Sequence, residues 1–421
     1  MGLSKNKQNY LIFVCWLMYL VAQLGRYSYS SNVTLIMERY GVNHAEAGLP
    51  TTFYFFAYGI GQIVNGFLCK RYNKRYVLTI ALILSAGLNL ALFFGVTFVA
   101  VKYLWMVNGI VQSTLWASLI LTISCNIDDS RLAGASLVMS TATTGGTFLV
   151  YGASALFAAF GHFEWIFVTS AVGLLIGGVL WFLGSRRLNF QNVIPASEND
   201  ISAAKGASQA AISSRRKKLR LVVLISLFAE FAMIGYAISG GLRSWIPSIL
   251  KEIYGLSDWL SIFLTLFLPF CSIFTASVSV FLHKKLKNFV LTTALMFSLG
   301  ALLILAVILF LQTSWVLVLV LFILVSMSMG VISNQMTVQA PLYMKRECGA
   351  GFLAGFLNGF CYVGSALSTY GFGLIADHAG WSGVFNLLLV LACISAALAG
   401  FYLLIVWLSR RKTEKPEQKE V

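Results

Sequence analysis

Long apolar runs separated by short polar patches make up most of this chain. A bilayer core about 30 Å thick needs about 20 apolar helical residues to cross it. Runs of that length fall at roughly 10–37, 46–69, 76–99, 103–125, 133–158 and 163–185, and after a polar stretch at roughly 221–249, 257–281, 289–312, 315–340, 349–374 and 382–408. The pattern predicts an all-α membrane protein of 12 transmembrane helices in two pseudo-symmetric six-helix halves. The halves are expected at 1–185 and 221–421, the second with a cytoplasmic tail, and a cytoplasmic linker at 186–220 joins them. The first run is too long for a signal-peptide core and carries no small-residue cleavage site, so it is expected to remain as a helix. Pro247 and Pro269 are expected kink points.

Composition supports lipid as the solvent. Of 421 residues 58% are hydrophobic and 11% charged, with mean hydropathy +0.82. Soluble domains carry about 25% charged residues, so this chain cannot cover itself with polar groups. The net charge of +15 would suit nucleic acid if it formed a patch, but it is spread between the runs. With the N-terminus in the cytoplasm, 25 of the 30 basic residues fall on cytoplasmic segments, among them Lys70, Arg71, Lys74, Arg75, Arg131, Lys284, Lys285 and Lys287. Only Arg39, Lys102 and Lys251 fall outside. By the positive-inside rule both ends face the cytoplasm, and the basic residues read as topology signals and contacts for anionic lipid. The cysteines show no metal or CxxC spacing and read as small core hydrophobes. No cofactor motif, P-loop or catalytic constellation occurs, so the chain is not expected to be an enzyme. The sequon Asn32-Val33-Thr34 lies inside a run and carries no meaning there.

The halves repeat. At a shift of 214, Leu35-Ile36-Met37-Glu38-Arg39-Tyr40-Gly41 reads against Ile249-Leu250-Lys251-Glu252-Ile253-Tyr254-Gly255. Phe67 through Arg71 reads against Phe281 through Lys285 at the same shift. Transporters built from two parallel halves hold their substrate near the midplane, between the halves.

Charges within the runs are costly and so point to function. Arg26 and Arg243 lie on equivalent helices, the repeat placing Arg26 one turn from Arg243. Two guanidinium groups on a shared cavity would hold a planar or tetrahedral oxyanion. The bland reading pairs each with a neighbouring helix. Arg243 and Glu230, 13 residues or about 20 Å apart on one helix, cannot pair directly. Glu230 either carries a proton for coupling or holds its helix to a partner. All four histidines fall in loops or at span ends. Polar residues recur at i, i+4 on single helix faces: Asn108, Gln112 and Trp116; Tyr58 and Gln62; Asn358 and Tyr362. They line a cavity or bond between helices, which membrane bundles do widely. The glycines Gly145-Gly146 and the series Gly349, Gly351, Gly355, Gly359 are expected at close helix contacts.

These stretches resemble the organophosphate:phosphate antiporter group of the major facilitator superfamily, which includes glycerol-phosphate and hexose-phosphate transporters. Gly66-Phe67-Leu68-Cys69-Lys70-Arg71-Tyr72-Asn73-Lys74-Arg75 is similar to the superfamily's conformational loop motif, with Lys70 where Asp is usual. Asn108-Gly109 with Gln112 and Trp116 resembles the group's fourth helix, Gly355-Phe356 through Tyr362-Val363-Gly364 its eleventh, and Trp245 with Pro247 the end of its seventh. The resemblance implies that Arg26 is a substrate arginine, that Tyr19, Tyr58 and Tyr362 are pocket tyrosines, and that the two halves rock to give alternating access. It also implies departures: Ser239 stands where the group has a second arginine, Ala142 where it has a histidine, and Gln62 where it has a lysine. A site with fewer cationic groups suits a monoanion better than a phosphate dianion.

The expected function is secondary transport of a small organic anion (sugar phosphate, sugar acid, other carboxylate or sulfonate) across the inner membrane, without cofactor, by a monomer. The counter-substrate is phosphate or a proton. Alternatives are proton-coupled efflux of amphipathic compounds, for which Glu230 is the best support, and a transporter-like membrane sensor, against which the short linker and tail speak.

Overall fold

A computed structural model describes residues 3–69, 71–188, 215–344 and 350–413. Lys70, Gly349, Lys345, Arg346 and most of the linker lie outside the described residues. The described chain is helical, with no strand. In order it forms α1 (Lys5–Tyr27), α2 (Val33–Tyr40), α3 (His44–Leu68), α4 (Lys74–Phe93), α5 (Phe98–Asn126), α6 (Asp129–Ala159) and α7 (Trp165–Leu188). Then come α8 (Arg215–Tyr254), α9 (Asp258–Thr265), α10 (Phe267–Leu286), α11 (Phe289–Phe310), α12 (Trp315–Asn334), α13 (Ala340–Tyr343) and α14 (Ala350–Thr413). Nine of the described helical segments are long and apolar enough to cross a membrane by length and composition. One of these, within α14, turns back at Gly380 (φ 65°, ψ −179°) and so crosses twice. With α3 and α6, which are 25 and 31 residues long, the crossings number twelve.

Local chemistry explains the breaks. Asn43 opens α3 with a reciprocal capping box: its side chain accepts from the Glu46 N–H and the Glu46 carboxylate accepts from the Asn43 N–H, which satisfies two orphan donors at once. Asn73, Thr97 and Asn288 cap α4, α5 and α11 in the simpler way. Gly41 (φ 63°) ends α2 and Gly255 (φ 66°) ends α8, so the 214-residue repeat extends to the backbone: both positions need a left-handed turn that glycine adopts without strain.

Three expected runs differ in detail. The first is broken at Ser30–Asn32. There Ser31 Oγ and Asn32 Nδ2 donate to the Ser28 carbonyl, a local competition that short polar side chains offer to helix. The eighth run is split at Leu266, just before Pro269, which cannot donate to the Thr265 carbonyl. The tenth ends in a π turn, Gln335–Gln339. Pro247, by contrast, lies within an unbroken α8.

Two apolar cores form, one on α1 and α3–α7 around Trp105 and Trp181, the other on α8–α14 around Trp245, Phe297 and Phe322. The faces of α4, α7 and α11 turned away from them expose Ile80, Ile83, Val172, Ile176, Leu302 and Leu309, as lipid-facing surfaces do. α1 approaches α6 so closely that a Cβ on Gly146 would sit 2.4 Å from the Leu20 carbonyl oxygen. Gly355, from the other expected glycine series, has open space around it. Along the seam between the cores α3 packs on α14, and α6 on α9 and α10. Near the end of the bundle remote from the start of α1, called the distal end below, Thr34 Oγ1 and Ser248 Oγ meet at 3.0 Å. These residues are 214 apart, so the repeat partners touch on the pseudo-twofold axis.

Candidate functional site

Arg26 occupies the last turn of α1 and is 4% exposed. Its Nε donates to the Tyr54 hydroxyl at 2.9 Å, and that hydroxyl donates to Gln112 Oε1 at 2.9 Å. Gln112 Nε2 then donates to Ser85 Oγ (2.9 Å), Ser85 to Asn108 Oδ1 (2.7 Å), and Asn108 Nδ2 to the Gly25 carbonyl (2.9 Å). The chain of bonds leaves α1, crosses α3, α5 and α4, and returns to the residue before Arg26. Tyr54, Gln112, Ser85 and Asn108 each donate to one neighbour and accept from another, which fixes the orientation of the guanidinium.

Aromatic rings surround the charge. The guanidinium carbon lies 4.3 Å from the Tyr58 ring centre and 5.9 Å from those of Tyr19 and Tyr54, within reach of a cation–π attraction. Trp116 backs Tyr19 at 4.6 Å, and Tyr362, on α14 of the other half, meets Tyr58 edge-on at 4.6 Å. Tyr236 adjoins Tyr362 at 6.2 Å. One turn toward the termini, Gln62 Nε2 donates to the Tyr58 hydroxyl at 2.6 Å, and Asn358 Nδ2 donates to Gln62 Oε1 at 3.3 Å across the seam. Arg26 Nη2 is buried without a hydrogen-bond partner, and the guanidinium forms no ion pair among the described residues. A buried donor left unmatched costs about 1–3 kcal/mol, more when charged.

Arg243 lies on α8, partly buried, with its Nε buried and unpartnered. It too has no carboxylate partner among the described residues. Pro247 has no N–H to give the Arg243 carbonyl; the Tyr151 hydroxyl of α6 reaches that oxygen at 3.4 Å instead. The missing N–H thus leaves a backbone acceptor to the opposite half.

The expected residues divide into three groups. Arg26, Tyr19, Tyr58, Gln62, Gln112, Trp116, Asn358 and Tyr362 form one contiguous set. The Arg243 side chain makes no hydrogen bond to this set among the described residues, and Tyr151 reaches only its carbonyl. Glu230 lies apart: Ser395 Oγ, on the second limb of α14, donates to its Oε1 at 2.6 Å, while its Oε2 is buried and unpaired. Ser239, where the resemblance places a second arginine, spends its hydroxyl on the Gly235 carbonyl of its own helix at 2.9 Å, and Ala142 is fully buried. In the loop motif, Arg75 bonds Ser185 through Nε to Oγ (3.2 Å) and Nη2 to the carbonyl (2.9 Å), tying α4 to the end of α7. Arg71 is exposed, Gly66 has open space, and Lys70 lies outside the described residues. Tyr54, Ser85 and Tyr236 were not anticipated. Tyr54 had a visible signal, since it precedes Tyr58 by four residues and extends the row that Gln62 ends. Ser85 had none, because a lone serine in an apolar run is unremarkable.

The chain as a whole is similar to known proteins. A family model described as Major Facilitator Superfamily matches residues 15–369. Two curated proteins named membrane sensor protein UhpC are similar along the chain. That of Escherichia coli strain K12 is 22% identical over 413 residues, covering 93% of this chain and 91% of its own. That of Salmonella typhimurium strain LT2 is 23% identical over 414 residues, covering 93% and 90%. Among solved structures, a bacterial homolog of the human lysosomal transporter Spinster, inward-facing and unoccupied, superposes with TM-score 0.77 at 15% identity, over 94% of this chain and 97% of that one. A D-xylose–proton symporter gives TM-score 0.73 at 12% identity, over 93% and 96%.

Proposed function

Because the chain belongs to the Major Facilitator Superfamily, a family of non-enzymatic secondary transporters, we propose that it carries a small organic anion, held between Arg26 of one half and Arg243 of the other. The observation that carries this reading is the unmatched Nη2 of Arg26 in a buried aromatic box. A carboxylate, sulfonate or phosphate oxygen supplies the acceptor that the resting site lacks, and the tyrosine rings accept the apolar face of the ligand. The bond ring through Tyr54, Gln112 and Asn108 holds the guanidinium in place before the ligand arrives, which lowers the ordering cost of binding. With cationic groups from only two side chains, a monoanion such as a sugar acid fits better than a dianion. Two halves related by the repeat would rock about this site, with phosphate or a proton as the counter-ion. The bias of basic residues sets the chain in an inner membrane with both termini cytoplasmic and the distal end outside. One chain supplies both walls, so a monomer suffices.

A thermal-shift screen against sugar acids, other carboxylates, sulfonates, sugar phosphates and cationic amphiphiles tests the reading, repeated on Arg26→Ala. A ligand that binds only the folded state raises the melting temperature. An anion class that stabilises the native protein and not the variant supports the reading. Stabilisation of both proteins by cationic or neutral amphiphiles alone would overturn it in favour of proton-coupled efflux.

A second reading is favoured by the names of the two curated relatives. A sensor would bind its anion at the same site and report it without moving it. The brevity of linker and tail does not separate the readings, since the relatives named as sensors are matched over 91% and 90% of their own lengths. Proteoliposome uptake does separate them: binding with no accumulation of labelled ligand over an empty-vesicle control supports the sensor.

A further inference from the structure

The distal mouth is closed by a cluster distinct from the anion site. His44 opens α3 in one half. Its Nδ1 lies 2.6 Å from Asp377 Oδ1 on α14, and its Nε2 lies 2.8 Å from Glu252 Oε1 on α8, both in the other half. Asp377 also takes the backbone N–H groups of His44 (3.0 Å, Oδ1) and Ala45 (2.8 Å, Oδ2), so it caps α3 from across the seam. Glu252 spends its second oxygen on the Trp381 indole N–H at 2.8 Å. The rings of Trp245 and Trp381 flank the imidazole at 5.5 and 5.3 Å.

Donor counting sets the charge. An ionised carboxylate is acceptor-only, and a neutral imidazole has one N–H and one lone pair. With a carboxylate at each ring nitrogen, both nitrogens must donate, and the ring must be the imidazolium. A neutral ring would place a nitrogen lone pair 2.6 or 2.8 Å from a carboxylate oxygen. We infer that His44, Asp377 and Glu252 form a proton-binding site whose occupancy clasps the two halves together at the distal mouth.

Other charges near the clasp do not replace this proton. Lys251, next to Glu252, is already bound to Asp258 at 2.8 and 2.9 Å and to Glu38. Arg39 pairs with Glu164 at 3.1 Å. Glu46, one turn along α3, is occupied by the capping box. His378 spends Nδ1 on the Leu374 carbonyl at 2.8 Å. Burial disfavours charge on His44, but the hydrogen bonds and charges of Glu252 and Asp377 outweigh it, and the ring's pKa is raised above the ordinary value. When the mouth opens, the two carboxylates leave and the ring returns toward about 6.5. The closed form therefore has the higher pKa. Its extra stability is fully present below the open-form value and is lost as pH rises through the closed-form value. Acid holds the mouth shut; alkali loosens it.

The inference rests on the proposed rocking of the halves but not on the nature of the cargo, and it is tested without any ligand. Dyes on non-canonical residues at Phe94 and Gln312, one per half in exposed loops at this end, report the mouth by single-molecule energy transfer in nanodiscs. Between about pH 5.5 and about pH 8.5, a range that a raised histidine pKa straddles, the fraction of wide-mouthed molecules should rise severalfold in the native protein. His44→Gln keeps a side chain of similar size but cannot titrate; it should show a high wide-mouthed fraction and no pH response. Asp377→Asn should weaken the response while leaving the unfolding temperature within a few degrees. A pH response in His44→Gln equal to the native one, or no response in the native protein, overturns the clasp. If the native mouth never widens at any pH while His44→Gln melts normally, the rocking itself fails, and that outcome is separate from failure of the anion screen.

Discussion

Arg26 shows what a sequence reveals of a residue and what it leaves to the fold. Its presence in an apolar run was enough to mark it, because burying the charge is costly. Its orientation was not, because that depends on Ser85, Asn108 and Gln112, which two other helices supply. Tyr54 is the hinge of that arrangement, touching Arg26 on one side and Gln112 on the other. Tyr54→Phe removes both bonds and leaves the guanidinium free to rotate. A hydrogen bond to a charged group is worth about 1.5–3 kcal/mol, so anion affinity should fall about tenfold or more, measured by titration of the stabilising anion. Arg26→Lys keeps the charge but not the planar fork, so a carboxylate should lose most of its affinity while the unliganded melting point stays near that of the native protein. Equal binding by the lysine variant would mean that a point charge suffices and that the fork is idle. Glu230 was legible as an intramembrane acid, but its contact with Ser395 on the second limb of α14 could not be read from the sequence, because those residues are 165 apart.

At the scale of elements the twelve crossings followed from hydropathy, since lipid demands apolar helices of a set length. The breaks within crossings followed less well. The interruption at Ser30–Asn32 depends on side chains bonding their own backbone, and the π turn at Gln335–Gln339 on packing that no periodicity encodes. Pro247 and Pro269 were legible alike as kink points, yet the helix is split before Pro269 and continuous through Pro247, where the Tyr151 hydroxyl takes up the freed Arg243 carbonyl. Glycine spacing was a mixed guide. A Cβ on Gly109 would stand 2.3 Å from the Tyr54 carbonyl, whereas one on Gly355 meets nothing within 4 Å. Gly109→Ala should therefore cost about 1–3 kcal/mol of stability by overpacking and push α3 away from α5, weakening the anion with it. Gly355→Ala should leave the unfolding curve unchanged. Melting curves of the two variants side by side check the contrast; similar losses in both would show that helix propensity, not contact, sets the effect.

For the whole molecule the repeat was the most informative feature of the sequence, because a shift of 214 predicted which residues are equivalent and the structure places one such pair, Thr34 and Ser248, in contact. Replacing both with cysteine puts two thiols where two hydroxyls now lie 3.0 Å apart. Oxidation should then lock the distal mouth and stop uptake, and a reductant should restore it; single-cysteine variants should be unaffected. Uptake that continues through a formed crosslink would rule out opening at this end. The ion pairs beside it matter less. Glu38 is more than half exposed, and pairs of that kind contribute about 0–1 kcal/mol and weaken with salt.

Glu38 and Glu252 stand 214 residues apart, and each reaches across to the other half, one to Lys251 and one to His44. The cations they reach are not repeat equivalents, since the 214 shift sets Lys251 against Met37 and His44 against Asp258, so each acid holds the other half through a different contact. One now holds by a permanent cation and the other by a cation that acidity supplies. Selection on such a pair acts on combinations rather than on single positions. Across descendants of the same duplication, position 44 should therefore change in step with 252 and 377, and position 251 in step with 38 and 258, while the two groups drift independently. Lineages living in constant acidity would be free to keep histidine, and those in alkaline surroundings would be pressed to trade it for lysine or arginine.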